Sequence, residues 1–338
     1  MHLLRVMKAG AVTVAIATGA MALSAASVSA DALRAHTTSA GAAPNTTMKL
    51  LSRYAEDAGV DVQVIEGQKM IRSLLLLANG DIEMMTAIVG QYARLESGTG
   101  PYKDIPDQAK EAATKIRSLI EFGAAAMQLV AWDDTGVKSF EDLRGKRVYV
   151  GPGGGGAGSD TEEVIRILTG MEPGTDYDSM RAPWNEGMQA MRNGQVDVLM
   201  RVAPVGAAIL QEFGLSKPIR ILGFSDEDKA KLAEYVAVPG RAFTEIPAGV
   251  YDGQTNEEAA GTLEYLASIA VNKDISDDDA YALTKAFWGN IGEIKDSAAF
   301  LKDLNPDAPF TGLNILLHPG AVRYYDEVGA TVPDSLRP

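Results

Sequence analysis

Lys146 to Leu168 reads KRVYVGPGGGGAGSDTEEVIRIL, and this stretch decides the fold class. Val148, Tyr149 and Val150 are strand formers, Thr161 to Leu168 carries apolar residues at helical spacing, and Gly151 to Asp160 lies between them. Glycine permits positive φ and a close approach of backbone to ligand. The start of a helix adds unpaired N–H groups and a positive dipole end, which suit a carboxylate or phosphate. A strand, an anion cradle and a helix in that order form one unit of an α/β fold.

Two glycine motifs test the cradle. A P-loop requires Lys and then Ser or Thr after its glycine, whereas Gly158 is followed by Ser159 and Asp160. Gly151, Gly153 and Gly156 satisfy G-x-G-x-x-G, but a run this dense in glycine satisfies many patterns. The acid that a dinucleotide site needs about twenty residues further on would be Asp176 or Asp178. Both lie in the loop PGTDYDS and not at a strand end.

At the N-terminus, Arg5 and Lys8 precede an uncharged stretch from Ala9 to Ala30, and Val28-Ser29-Ala30 offers small residues before Asp31. A cleavable signal over residues 1–30 and a periplasmic location are expected. The Ala, Ser, Thr and Gly content of the stretch is too weakly hydrophobic for an anchor. The chain has no cysteine, which rules out lipobox attachment, disulfides and thiolate chemistry. Removing residues 1–30 takes away two basic residues and no acidic one, so the net charge goes from −14 to −16. That balance argues against nucleic acid or an anionic membrane as partner, though not against a small anion bound by local dipoles and an arginine.

The mature chain suits two domains. A strand at Ala32, a helix to Gly59, the strand VDVQVIEG (Val60 to Gly67), a helix to Asn79-Gly80 and the strand IEMMTAIV (Ile82 to Val89) predict a largely parallel sheet. Ala125 to Trp132 is apolar and leads into a second series: FEDLR as a short helix capped by Ser139, the glycine loop, SMRAPW, a helix at EGMQAMRNG, the strand QVDVLMRVAP, the helix GAAILQEFG, IRILGF and a charged helix from Asp226 to Glu234. VAVPGRAFTEIPAG (Val236 to Gly249) reads as a return crossing, and the remainder as mostly helical. The expected architecture is an α/β, two-lobed, type II-like binding protein with two hinge crossings and a ligand cleft. Lobe 1 comprises residues 31–133 plus 239–338 and lobe 2 residues 134–238.

The chain resembles the TAXI family, the solute-binding components of one class of TRAP transporters. The resemblance rests on GVKSFEDLRGKRVYVGPG (Gly136 to Gly153), RNGQVDVLM (Arg192 to Met200), IPAGVYDGQ (Ile246 to Gln254) and LHPGAVRYYDEVG (Leu317 to Gly329), with LLLLANGDIEMM (Leu74 to Met85) and YALTKAFW (Tyr281 to Trp288) in support. It implies lobe closure on a small carboxylate or amino acid and delivery to an ion-gradient-driven permease. It further implies a monomer without cofactor, metal or catalysis. Three stretches depart from the family pattern. TTSAGAAPNTT (Thr37 to Thr47) has one glycine and no tyrosine, Ile88 and Val89 stand where a polar residue is usual, and the glycine run is long. Glutamate is therefore not assumed as the solute.

Thr37, Thr38 and Ser39 sit where the first strand meets a helix, as a ligand contact or an ordinary turn. Gly156, Gly158, Ser159 and Asp160 are their second-lobe counterpart, with Ser159 or Asp160 also a candidate cap. Arg201 alternates to the face of Asp197 and Leu199 near a strand end, where a buried guanidinium needs either a solute carboxylate or a salt bridge to Asp197. Arg181 follows the same logic. Trp184 and Asn185, read as a loop, would supply an apolar wall and an amide, and Gln68 and Gln91 are polar candidates on the first lobe. His318 in HPG reads as part of a structural turn.

Beyond the signal only His36 and His318 would serve as bases near neutral pH, and no metal spacing or G-x-S-x-G elbow is present. The competing readings are a secreted NAD(P)-dependent oxidoreductase using Gly151 to Gly156, and a periplasmic sensor subunit for a receptor kinase.

Overall fold

Apolar residues spaced three and four apart against short β-branched runs build the first half of the fold. A computed structural model describes residues 32–338 apart from 154, 155, 303 and 308, so the expected signal lies outside the described residues. The first series is β1 (Leu33–His36), α1 (Ala43–Asp57), β2 (Val62–Ile65), α2 (Met70–Asn79), β3 (Met84–Ile88), α3 (Val89–Ser97) and α4 (Pro106–Ala113). Helix α1 buries Met48, Leu51 and Ala55 on one stripe, and α2 buries Met70, Leu74 and Leu77.

Next comes β4 (Ile116–Trp132), a 17-residue strand. The second series is β5 (Arg147–Gly151), α5 (Gly156–Thr169), β6 (Asp178–Arg181), α6 (Trp184–Arg192), β7 (Val198–Ala203), α7 (Ala208–Ser216), β8 (Ile219–Ile221), α8 (Asp226–Lys231) and α9 (Ala233–Val236). The chain ends with β9 (Arg241–Ile246), β10 (Ala260–Asn272), α10 (Asp277–Gly289), α11 (Ile291–Ser297) and α12 (Pro319–Glu327).

The strands form one mixed sheet in the order β2-β1-β3-β10-β4-β7-β5-β6, with β8 beside β4 and β9 beside β10. The expectation of a largely parallel sheet holds within the first series, from which it was drawn, and does not extend to the sheet as a whole. Strand β1 is parallel to β2 and β3, and β5 to β6 and β7, but β10 and β4 run antiparallel to every strand they pair with. The remainder is mostly helical as expected, with α10, α11 and α12, but that expectation missed one element, because GTLEYLASIAVN is strand. Its Leu, Glu and Ala favour helix in isolation. Pairing with β4 on one side and with β3 and β9 on the other outweighs that propensity. FEDLR holds only a 3₁₀ turn at Glu141–Leu143, and the Asp142 carboxylate accepts from the Ser139 N–H at 2.9 Å, so the cap runs opposite to the one expected.

Apolar packing divides along the two long strands. On β4, side chains up to Ala124 pack with the first series and those from Met127 with the second. On β10 the change falls between Leu263 and Ala267. Two clusters, one with Met48, Leu51, Phe287 and Tyr325 and one with Leu74, Met85 and Tyr92, make the core of the first side; two more, one with Val148, Ile165, Val198 and Met200 and one with Tyr149, Leu199 and Phe213, make that of the second.

Candidate functional site

The carboxyl ends of the parallel strands lead into helices, and open α/β sheets bind ligands in the crevice outside those carboxyl ends. Strand β3 passes directly into α3 at Val89, and β5 reaches α5 through the glycine loop. Between these helix starts lies a cavity of about 340 Å³. Ile88, Gly90, Gln91 and Arg94 line it from the first series, Gly156 and Asp160 from α5, and Arg241 and Tyr265 from β9 and β10.

Gly240 shapes its wall. Its φ is +90°, and a Cβ there would stand 2.6 Å from the Gly90 nitrogen. Only glycine lets the segment before β9 lie against the first turn of α3.

Asp160 supplies the cavity's carboxylate. It accepts from Tyr235 Oη at 3.0 Å, Arg241 Nη2 at 3.2 Å and Tyr265 Oη at 3.3 Å. Arg241 also lies 3.9 Å from the Tyr235 ring centroid and donates to the Tyr235 carbonyl at 3.0 Å. Burial, and then the Asp160 charge, push both phenols above their ordinary range, so they stay protonated donors. The expectation of Asp160 as a helix cap is thus replaced by a three-donor cluster joining α5 to β9 and β10.

Two groups remain without protein partners. The Gln91 Oε1 is buried and accepts no hydrogen bond among the described residues. Arg94 has no carboxylate partner among them either; a Cβ on Gly156 would lie 3.5 Å from its Nη2. The guanidinium therefore reaches from α3 to the start of α5, where helix N–H groups already favour an anion. A cation, two helix starts and an unmatched acceptor suit an anion that carries its own hydrogen-bond donor.

Of the residues singled out in the sequence, the cavity gathers Gln91, Gly156 and Asp160. Thr37 is buried with its hydroxyl 3.1 Å from that of Thr86, Thr38 has a buried Oγ1 without a partner, and Ser39 is exposed. Gln68 donates to the Glu66 carbonyl at 2.9 Å. Gly158 is buried, and a Cβ there would lie 3.4 Å from Arg181 Cζ; Ser159 is exposed. Arg181 is already paired with Glu162. Trp184 and Asn185 belong to the first turn of α6 and not to a loop, because Pro183 ends the extended segment and leads into the helix. Arg201 lies outside the cavity lining, with its Cζ 4.3 Å from the Trp184 ring centroid. The salt bridge to Asp197 does not form, since Asp197 is held by Arg147 at 2.6 Å.

Arg94, Tyr235, Arg241 and Tyr265 were missed. The spacing of Gln91 and Arg94, three apart on a helix, would have indicated one face. Nothing local marks the other three: Tyr235 comes from α9, and β9 and β10 bring Arg241 and Tyr265 in from far along the chain.

The dinucleotide alternative finds no support in the geometry. Asp178 starts β6 and Asp176 precedes it, at the opposite end of that strand from where a ribose-binding acid belongs. Asp176 is also occupied by Arg144 and by the Glu172 N–H.

Solved structures similar to this chain include three at low identity. The periplasmic sulfonate-binding protein SsuA of Methylobacillus flagellatus is 13% identical, with 88% of this chain and 87% of that one covered and a TM-score of 0.48. The ectoine-binding protein of the TeaABC TRAP transporter in its apo state is 13% identical, with 88% and 90% covered and a TM-score of 0.47. A TRAP periplasmic solute-binding protein of Ochrobactrum anthropi is 11% identical, with 88% and 87% covered and a TM-score of 0.46. A family model described as NMT1-like matches residues 41–329, most of the sequence, and the chain belongs to the NMT1-like family.

Proposed function

We propose that this chain is the extracytoplasmic solute-binding component of a transporter, of the TAXI type within the TRAP class. In this reading the two cores are the lobes, β4 and β10 are the crossings, and the 340 Å³ cavity between the helix starts is the cleft. A small organic anion, a carboxylate or an amino acid, is held by Arg94 and the first turn of α5, with its donor group on Gln91 Oε1. Ligand contacts to both lobes favour the closed form, which a membrane permease then recognises.

The observation that carries the reading is this cavity, lined from both series and holding an arginine with no acidic partner. The rest of the molecule supports binding without catalysis. His36 Nδ1 is 2.9 Å from the Ser73 hydroxyl, and burial lowers the pKa of the imidazole. His318 caps α12 by accepting from the Gly320 N–H at 3.2 Å. Both are built into the framework.

The test is a thermal-shift screen of residues 31–338, refolded to strip carried-over solute, against amino acids, dicarboxylates, 2-oxo acids, sulfonates and NAD(P). A true solute at 100 times its Kd adds about 2.7 kcal/mol and raises Tm clearly. Silence across the anions, or a response to NAD(P) alone, overturns the reading.

A further inference from the structure

The other half-buried arginines among the described residues are satisfied: Asp133 holds Arg220, Asp160 holds Arg241, and Arg117 donates to the Thr114 and Ile116 carbonyls. Arg201 differs. Its Nε and Nη1 are buried and have no hydrogen-bond partner among the described residues. The polar groups around it are engaged elsewhere. Gln128, directly across from it on β4, donates to the Ala203 carbonyl at 2.9 Å and accepts from Tyr251 Oη at 2.7 Å. Tyr149 Oη donates to the Ala182 carbonyl at 2.9 Å.

Taking two nitrogens of a guanidinium out of water without an anion or an acceptor is costly, and such a group persists where something else repays it. Burial pulls the pKa of Arg201 down, and only the Tyr149 phenol acts the other way. The Trp184 ring covers one face of the guanidinium at 4.3 Å, which leaves the in-plane N–H donors as the recognition element. Arg201 stands near the C-terminal end of β7, about level with Gly151 if the register of Val148 with Val198 and Tyr149 with Leu199 is continued.

We propose that Arg201, backed by Trp184, is a second anion site, distinct from the Arg94 cavity, whose in-plane donors take a carboxylate bidentately. The carboxylate belongs either to a free monoacid or to the far end of a diacid whose first end lies at Arg94. The second case alone rests on the function proposed above.

The test compares wild type, Arg201→Met, Arg201→Lys and Arg94→Met by Tm and tryptophan emission, titrated with acetate, succinate, glutarate and adipate. Trp184→Phe identifies which of the three tryptophans responds. An acetate response in wild type and Arg94→Met that Arg201→Met lacks supports the monoacid form. A diacid response that weakens at least tenfold in both Arg94→Met and Arg201→Met supports the spanning form. Arg201→Lys should keep the charge and lose most of the affinity, because a point charge lacks the planar fork. Without ligand, Arg201→Met should melt no lower than wild type, since an unmatched buried charge is replaced by an apolar chain. Equal responses of Arg201→Met and wild type to every acid overturn the proposal, as does an unliganded Arg201→Met that melts well below wild type. If every acid is silent on wild type, this site falls, while the proposed function stands or falls on the wider solute screen. If only Arg94-dependent binding is seen, this site alone falls.

Discussion

Tyr265 and Glu264 are neighbours on β10 and face two cavities of opposite character. Tyr265 lines the 340 Å³ cavity, with Arg94, Arg241 and two helix starts. Glu264 lines a larger one of about 660 Å³, together with Glu121, Glu245, Phe122, Phe243 and Trp288, and with no lysine or arginine among the described residues. Volume alone would choose the larger. Polar bookkeeping points to the smaller. Glu121 accepts from the Thr311 and Gly312 N–H groups at 3.0 and 3.2 Å, and Glu245 lies 3.7 Å from Lys229. The smaller cavity keeps a buried Gln91 oxygen without a partner, beside an exposed Arg94 that has no acidic partner among the described residues. Unmet hydrogen-bonding capacity separates a ligand site from a structural cleft better than size does.

The comparison breaks most sharply at Gly240. Alanine there would place a Cβ 2.6 Å from the Gly90 nitrogen at a φ of +90°. A loss of roughly 1–3 kcal/mol or more in urea unfolding is expected, together with loss of detectable solute binding. Normal binding by Gly240→Ala would mean that the contact does not shape the site. Arg94→Met is next. It should weaken binding by about 1.5–3 kcal/mol, the range for a charged hydrogen bond, without changing the urea midpoint. Calorimetry checks the first part and urea unfolding the second.

The larger cavity answers to pH. Burial pushes the Glu121 carboxyl up to about 7 from its ordinary value near 4.5, against the backbone N–H groups that lower it. The folded chain therefore holds this proton over a range where the unfolded chain has lost it. The resulting stabilisation is fully present below about pH 4.5 and is lost as pH rises through 7. Glu121→Gln should gain on wild type across that window, by about 1–2 kcal/mol at pH 8. Less than the full linkage is expected, because the new amide N–H meets the Gly312 N–H. Urea melts at pH 5, 6, 7 and 8 read the slope, and a constant difference would show that Glu121 does not titrate there. Solute affinity should be untouched.

The α/β class and the two series of strands and helices were legible because their signals are local: helical stripes in α1 and α2, and β-branched runs in β2 and β5. The mixed sheet was not. Strand β10 shows no strict alternation, because both faces of its interior are buried, and its Leu, Glu and Ala content mimics a helix. The site divides in the same way. Gln91, Gly156 and Asp160 stand beside helix starts, which punctuation in the sequence reveals. Arg241 and Tyr265 join them only through strand pairing across tens of residues, and Tyr235 from α9 beside them, for which the sequence carries no short-range mark. Arg201 was chosen for its unmatched charge, and the structure keeps that charge unmatched while placing it away from the cavity lining.

Arg181 gives the smallest effect and the sharpest control. Two arginines near the start of α5 looked alike as anion holders once the fold was known. Arg94 projects from α3 without an acidic partner, whereas Arg181 is bound by Glu162 through two of its nitrogens. The pair is partly exposed, where salt bridges contribute about 0–1 kcal/mol. Arg181→Met should therefore cost less than about 1 kcal/mol in urea unfolding and leave solute affinity within twofold, since the charge is already neutralised in place. A tenfold loss of affinity in calorimetry would mean that Glu162 releases Arg181 to the solute. The anion site would then extend from Arg94 across the Gly158 face of α5, and the boundary drawn here between matched and unmatched arginines would have to move.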